Sequence, residues 1–358
     1  MKRLLLPVLL LVPLLSGCWD ELMFKELQAV TLVGIEGGEG EITVHFAFPA
    51  FLESGVEYQA IKADGQSLSD ARNKVNSRSS EALNMSQLQI LLISSETAKS
   101  DVYEFLDNFY RTPHNRLTGQ VILVEGNMED YMGSPEGEGP SKQMPRYLKN
   151  LSRTIGIYSL STLNDLNQAG SLIFSEGIDL SLPMLKMGKE GQPELAGTAL
   201  FNGNQFSGSI LSETEGSLLN ILRGKPGKIL RLSYEVEVDG KQELVSFELI
   251  RSKKMWTIDN GRADLFYHLK VQVEEYPDGA VRDQIPELER QLSKKVASDL
   301  RDTVEKLQDA GSDPLGLGRQ VRAFHQDLWK KGDWNETFSE LDISVEAEVK
   351  IARTGILN

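Results

Sequence analysis

Cys18 is the only cysteine in the 358-residue chain, and it stands directly behind Leu15-Ser16-Gly17. Its thiol is the one side chain here suited to becoming a stable thioether, so this position can carry a covalent attachment. Other chemistry finds little to work with. His45, His114, His268 and His325 fall in no H-E-x-x-H or other paired ligand spacing, so no metal is expected. There is no G-x-S-x-G elbow, and no S-x-x-K set with its partner motifs can be assembled. Among 52 acids no glycosidase pair stands out. No catalytic residue and no cofactor is expected, and the chain reads as a non-enzyme.

Residues 1–17 give that thiol its context. Lys2 and Arg3 form a positive leader, and Leu4 to Leu15 an apolar run. As a helix this run would span roughly 18 Å, short of the ~30 Å hydrocarbon core. Pro7 and Pro13 weaken a helix further. The stretch therefore reads as a processing signal rather than a transmembrane span. Leu15-Ser16-Gly17-Cys18 resembles the lipobox of bacterial lipoproteins. That resemblance implies cleavage before Cys18, a diacylglyceryl cysteine bearing palmitate-type chains, and a mature chain that begins there. Two acyl chains hold a membrane durably where one binds marginally.

The formal net charge is −14. An acidic body argues against nucleic acid, which needs a basic footprint. It also argues against electrostatic adhesion to anionic lipid, leaving membrane attachment to the chains on Cys18. With Cys18 consumed no disulfide can form, so stability must come from packed cores. The length is ample for two or three domains.

Several elements follow from patterning. Ala29–Val33, the cluster Gly37-Gly38-Glu39-Gly40 and Ile42–Phe48 read as a hairpin. A helix is expected over Ser67–Leu83 with Ser67 or Ser69 as N-cap, then a strand over Leu88–Ile93. A second helix over Glu96–Tyr110 and a strand over Val121–Val124 complete one α+β unit. The glycine- and proline-rich stretch Met132–Pro145 reads as a hinge. Its glycines fit neither phosphate-binding spacing, and its glutamates would repel phosphate. Arg146 to Gly191 mixes short helical stretches with a strand over Ile178–Lys186. Asn202-Gly203 between apolar runs signals a hairpin with a type I′ turn, and Glu213–Arg223 a short helix.

The last third alternates clearly. Ile229–Val238, Leu244–Arg251, Leu265–Val273 and Ile343–Ile351 read as antiparallel strands with one buried face. Between the last two lies a helix over Gln284–Asp309, its Leu288, Leu292, Val296, Leu300, Val304 and Leu307 on one stripe. A further helix is expected over Gly318–Trp329. The fold class is thus α+β and multidomain, with three α+β domains whose largely antiparallel or mixed sheets are each packed with helices. The expected limits are 1–17 signal, 18–26 lipidated tether, 27–133 N-terminal domain, 134–194 middle domain and 195–358 C-terminal domain.

With these residues in view, the chain resembles the C subunit of bacterial spore germinant receptors, the Ger(x)C lipoproteins. The resemblance rests on Cys18-Trp19-Asp20 and on Arg111-Thr112-Pro113-His114-Asn115-Arg116. It continues in the Gly197–Gly208 hairpin with Phe201 and Phe206, and in Asp313-Pro314-Leu315-Gly316-Leu317-Gly318. Trp329, Trp334, Phe338 and the closing Arg353-Thr354-Gly355-Ile356 complete it. Glu21-Leu22-Met23-Phe24 is more apolar than the family pattern. The resemblance implies a three-domain ectodomain tethered to the outer face of the inner spore membrane. It further implies two membrane partners, an A subunit and a transporter-like B subunit, in a complex that senses nutrients.

Individual residues keep two readings. Arg111 and Arg116 could grip an anionic group or a partner's carboxylate, or could brace the helix-to-strand turn; the bracing reading is favoured. Asp313 reads as a cap rather than a ligand. Trp329 and Trp334 are either core or interface anchors. The sequence thus points to a lipid-anchored scaffold subunit in germination. The rival is a solute-binding lipoprotein that captures the nutrient itself.

Overall fold

Hydrophobic alternation and glycine turns shape the first sheet from the outset. The computed structural model describes residues 26–38, 40–53, 55–133, 143–238, 240–259, 261–275 and 284–353. Leu15, Ser16, Gly17, Cys18, Trp19-Asp20, most of the Met132–Pro145 stretch and Thr354-Gly355-Ile356 lie outside these residues.

Leu27–Ala29 (β1) precedes the expected hairpin, formed by Leu32–Gly38 (β2) and Glu41–Leu52 (β3). Gly37 sits at φ +105, and a Cβ there would meet the Glu41 carbonyl oxygen at 2.5 Å, so glycine is required. Gly55–Gly65 (β4) continues antiparallel to β3 along its length. This strand was not legible in the sequence. It is an edge strand studded with polar groups, and so lacks the apolar alternation that marks a buried one.

Leu68–Asn76 (α1) starts as expected, with Ser67 Oγ accepting the Asp70 N–H, but stops well before Leu83. Ser77 and Ser79 hydroxyls donate back to the Lys74 and Val75 carbonyls and compete with the helix. Ala82–Asn84 (β5) then pairs parallel with β1. Ile90–Ser94 (β6) is followed by a 3₁₀ turn at Thr97–Lys99 and by Val102–Arg111 (α2). The single helix expected from Glu96 is split because Ser100 is extended and Asp101 caps a fresh start through the Tyr103 N–H. Gln120–Val124 (β7), Met128–Met132 (α3), Met144–Ile157 (α4) and Leu166–Ile173 (α5) come next.

Ser181–Met187 (β8), Pro193–Asn202 (β9) and Gln205–Leu211 (β10) complete the sheet, ordered β10-β9-β8-β7-β6-β2-β3-β4. Its centre (β2, β6, β7, β8) is parallel and its flanks are antiparallel. The strands therefore cross the expected limits at 133/134 and 194/195: β8 lies beside β7, and β9 and β10 extend the same sheet. Leu91, Ile93, Val121 and Leu123 pack on one face with α1, α2 and α5. Ile90, Leu92, Ile122 and Val124 pack on the other with α3 and α4. Burial on both faces is why these short strands are continuously apolar. The β9–β10 turn has Gly203 and Asn204 at its centre, with Asn202 paired to Gln205. Gly203 alone takes positive φ (+58), the pattern of a type II′ rather than a type I′ turn.

Glu213–Arg223 (α6) has a Ser212–Glu215 capping box and ends at left-handed Gly224. Arg231–Val238 (β11), Lys241–Asp259 (β12) and Arg262–Glu275 (β13) form an antiparallel meander. Ile285–Asp309 (α7) covers one face of it. Leu317–Phe324 (α8) and Gln326–Trp329 (α9) replace the single helix expected there, with His325 at the break. Trp334–Ser339 (α10) leads into Asp342–Arg353 (β14). β14 pairs parallel with β13, not antiparallel as expected. Alternation reports which face is buried but not strand direction; α7 carries the chain back to the end where β13 began. The fold is α+β with mixed sheets, each packed with helices.

Leu200, Leu211 and the α6 leucines join the core under the second sheet, so α6 links the two layers of packing. Leu300, fully buried on α7, is the residue on which that core should depend most plainly. Leu300→Ala should cost about 2–5 kcal/mol in urea unfolding, whereas exposed Glu305→Ala should stay within about 0.5 kcal/mol. Equal effects of the two would contradict this placement of α7.

Candidate functional site: a buried carboxylate junction

After α7 the chain turns at Gly311 (φ +57) and enters Ser312 and Asp313, both fully buried. The Asp313 side chain folds back over the residues that follow it. Oδ1 accepts the N–H groups of Gly316 (2.9 Å) and Leu317 (3.2 Å). Oδ2 accepts the Gly318 N–H (2.8 Å) and the Trp334 indole Nε1–H (2.9 Å). Asp313 thus caps the start of α8, as the sequence reading held, and ties it to α10 as well.

A second carboxylate meets it. The Asp313 N–H donates to Asp179 Oδ2 at 2.6 Å, and the Asp179 N–H donates to the Asp313 carbonyl at 2.9 Å. Asp179 Oδ1 also accepts the Gly203 N–H (3.0 Å) at the β9–β10 turn. The Asn335 amide lies 3.0–3.1 Å from Asp179 Oδ2, Asn202 Oδ1 and the Gly311 carbonyl. Four stretches far apart in sequence therefore converge on two acids.

Two glycines make the approach possible. A Cβ on Gly318 would sit 2.5 Å from Trp334 Nε1 and 2.6 Å from the Gly177 Cα. Gly177 itself takes φ +76, and its carbonyl accepts the Arg319 N–H at 2.9 Å. The glycines at 316 and 318 are thus explained by left-handed geometry (Gly316, φ +79) and close contact respectively.

Burial pushes the Asp313 pKa up to about 7, against the opposing pull of the Gly318 and Trp334 donors; the neighbouring Asp179 raises it further. Burial likewise raises Asp179, although the Asp313 N–H, Asn335 and the Gly203 N–H favour its ionised form. Both oxygens of Asp313 already accept two bonds each. Such a carboxylate is equipped to hold backbone in place rather than to take a substrate proton.

Trp334 is buried and packs against Trp329 (5.9 Å between ring centroids, 27°) and Phe338. Trp329 is only half-buried and borders a cleft of about 400 Å³, shared with Leu172, Ile173, Asp333 and Asn335. The structure brings Asp313, Trp329 and Trp334 together; it does not bring Arg111 and Arg116 to them. Exposed Arg111 pairs with Asp107 one turn earlier on α2 (2.5 Å), and Arg116 donates to Thr118 Oγ1 (2.6 Å). Among the described residues both side chains are thus held by local partners beside the helix-to-strand turn. His45 is buried on β3 with Glu36 at 2.7 Å, and His268 pairs with Glu348 on β14 at 2.9 Å. Among the described residues no group of three or more His, Cys, Asp or Glu could hold a metal ion.

Sequence reasoning missed Asp179, Gly177 and Asn335. The available signal was an acid set between Ile178 and Leu180 in an otherwise apolar run.

The two halves of this arrangement correspond to known sequence families. Residues 20–187 match the model described as the spore germination protein N-terminal domain, and residues 196–355 match spore germination B3/GerAC like, C-terminal. The chain belongs to the family of germinant receptor C subunits. It is similar to spore germination protein GerQC of Bacillus cereus, 21% identical with 99% of each chain covered. It is also similar to spore germination protein B3 of Bacillus subtilis (strain 168), 22% identical with 95% of each covered. In structure it resembles the crystal structure of the GerBC protein, with a TM-score of 0.54 at 19% identity, over 89% of this chain and 96% of that one. That likeness establishes the fold.

Asp313 carries a pH signature. Its folded pKa, about 7, lies above the unfolded value near 4, so its stabilising contribution is complete below about pH 4 and is lost as pH rises through 7. Asp313→Asn places an amide N–H₂ against buried donors and should cost about 1–3 kcal/mol. The parent's advantage over the variant should be largest near pH 4 and shrink towards pH 8 in urea titrations. An advantage that grows with pH would show a carboxylate kept ionised by its four donors. Gly318→Ala should cost about 1–3 kcal/mol by overpacking against Trp334.

Proposed function

We propose that this chain is the lipid-anchored, non-catalytic subunit of a nutrient germinant receptor and acts as its scaffold on the membrane. The observation that carries this reading is the extent of the family match. Two models cover residues 20–187 and 196–355, so the receptor-family region begins just after Cys18. Cys18 would bear the diacylglyceryl group, with Leu15-Ser16-Gly17 as the processing site. Among the described residues no helix is long and apolar enough to cross a membrane.

In this reading the ectodomain lies on the outer face of the inner spore membrane and contacts the A subunit and the transporter-like B subunit. The junction supports a scaffold role. A body whose two sheets are joined through Asp179, Asp313 and α6 can transmit a docking contact without hinging between them. Half-buried Trp329, stacked on Trp334 beside an open cleft, is the aromatic anchor we assign to partner contact.

Cys18→Ala should move the protein from the membrane pellet to the soluble fraction of disrupted spores. Retention in the pellet would contradict a lipid anchor as the sole attachment. Crosslinking from spore membranes should recover the A and B subunits with the parent chain. Trp329→Ala should reduce that recovery while leaving the unfolding midpoint within a few degrees.

A further inference from the structure

Beside α8 lies a concentration of positive charge that the acidic body does not neutralise. Arg223 ends α6, Lys225 follows left-handed Gly224, Lys254 reaches over from β12, and Arg319 stands in the first turn of α8. Two neighbouring clefts, of about 380 and 270 Å³, share Arg223, Lys225 and Arg319 in their walls. No Asp or Glu of the described residues lines either one. Among the described residues, the side chains of Arg223, Lys225 and Arg319 have no hydrogen-bond or ion-pair partner. That contrasts with Arg111, Arg231, Arg262, Arg290 and Arg322, each of which is paired with an acid.

Helix electrostatics accounts for only part of this. Lys254 Nζ donates to the Arg223 carbonyl (3.0 Å) and lies 3.6 Å from the Trp256 ring centroid, so it serves the C-terminus of α6 and an aromatic face. Arg223 also sits in the last turn of α6, where a cation is favoured. Arg319 is at the opposite kind of end, where the helix dipole opposes a cation. Burial pushes the Arg223 pKa down to about 10. Burial, followed by the charges of Lys225 and Arg223, lowers Lys254 to about 8. Lys225 is lowered first by Arg223, with Arg319 contributing. Lys225 and Lys254 are thus repelled by the neighbouring cations, and an anion among them would relieve that repulsion.

The larger cleft continues away from the cations between polar side chains. Asn167, Gln168 and Ser171 of α5 present exposed amide and hydroxyl groups opposite Arg223 and Arg319. Guanidinium groups recognise carboxylates and phosphates through paired N–H donors, while amides and hydroxyls suit an uncharged polar body. We propose that Arg223, Lys225 and Arg319 form a binding site for a small polar organic anion, gripping its carboxylate or phosphate group while the α5 face holds the rest. The concave shape and the amide wall favour a small molecule over a flat membrane surface. The site does not depend on the scaffold reading.

Calorimetric titration of the full chain in detergent, at fixed ionic strength in sodium chloride, tests this with inorganic phosphate and malate. Erythritol serves as the uncharged control. The expected result is saturable one-to-one binding of at least one anion and none of erythritol. Arg223→Gln and exposed Arg319→Gln should each weaken binding about tenfold, whereas acid-paired Arg111→Gln should leave it unchanged. Absence of saturable binding for both anions overturns the proposal. So does binding indifferent to Arg319→Gln, which would mean an adventitious ion only. Arg319-dependent adhesion to phosphatidylglycerol vesicles without soluble-anion binding would assign the cluster to a lipid surface and overturn it equally. No partner subunit enters the assay, so its failure leaves the receptor reading standing.

Discussion

The reciprocal pairing of Asp179 and Asp313 is the constraint on which the rest of this architecture depends. Each residue donates its backbone N–H to the other, one to a carboxylate and one to a carbonyl. Asp179 leads into β8 of the large sheet, and Asp313 follows the helix that covers the small one. Their contact therefore fixes one sheet against the other. Two buried acids would ordinarily repel and resist desolvation. Here four donors on Asp313, together with the Asp313 N–H, Gly203 N–H and Asn335 on Asp179, offset that cost. Raised pKa values for both show that the offset is incomplete.

Everything near the junction follows from making room for it. Gly177 and Gly318 let two backbones touch, and Gly316 turns the chain so that its N–H faces the Asp313 carboxylate. Trp334 closes the lid with its indole N–H and passes its packing to Trp329 and Phe338. The half-exposed Trp329 is the point where this buried construction reaches solvent. The same short helix presents Arg319 to the basic cleft. One eight-residue helix thus takes part in a negative, internally satisfied cluster and in a positive, unsatisfied one. The physical contrast matters for function. Satisfied buried polar groups hold shape, whereas unpaired cations in a concavity leave binding energy unused.

Family membership and these two clusters bear on different questions. The match over residues 20–187 and 196–355 places the chain among germinant receptor C subunits. The junction explains how a chain with no disulfide among its described residues holds a large sheet and a small sheet together. The basic cleft, which a scaffold alone does not require, suits uptake of a small anion.

Much of the fold was legible in the residues themselves, because hydrophobic period and capping chemistry are local. The α7 stripe, the short helix at Glu213–Arg223, the alternating strands of the second sheet and the continuously apolar β6 and β7 all announced themselves. β4 did not, since an edge strand that faces water carries little apolar signal. The parallel pairing of β14 did not either, because alternation marks a face and not a direction. Asp313 was readable as a cap from its place before a glycine-rich turn. Its partner Asp179, 134 residues away, was not. Nor was the gathering of Arg223, Lys225, Lys254 and Arg319, which come from three separate elements and their turns. Local sequence determined most of the helices and strands and the family to which the chain belongs. Only the tertiary structure decided which charges meet, because burial and pairing depend on neighbours in space that no spacing along the chain records.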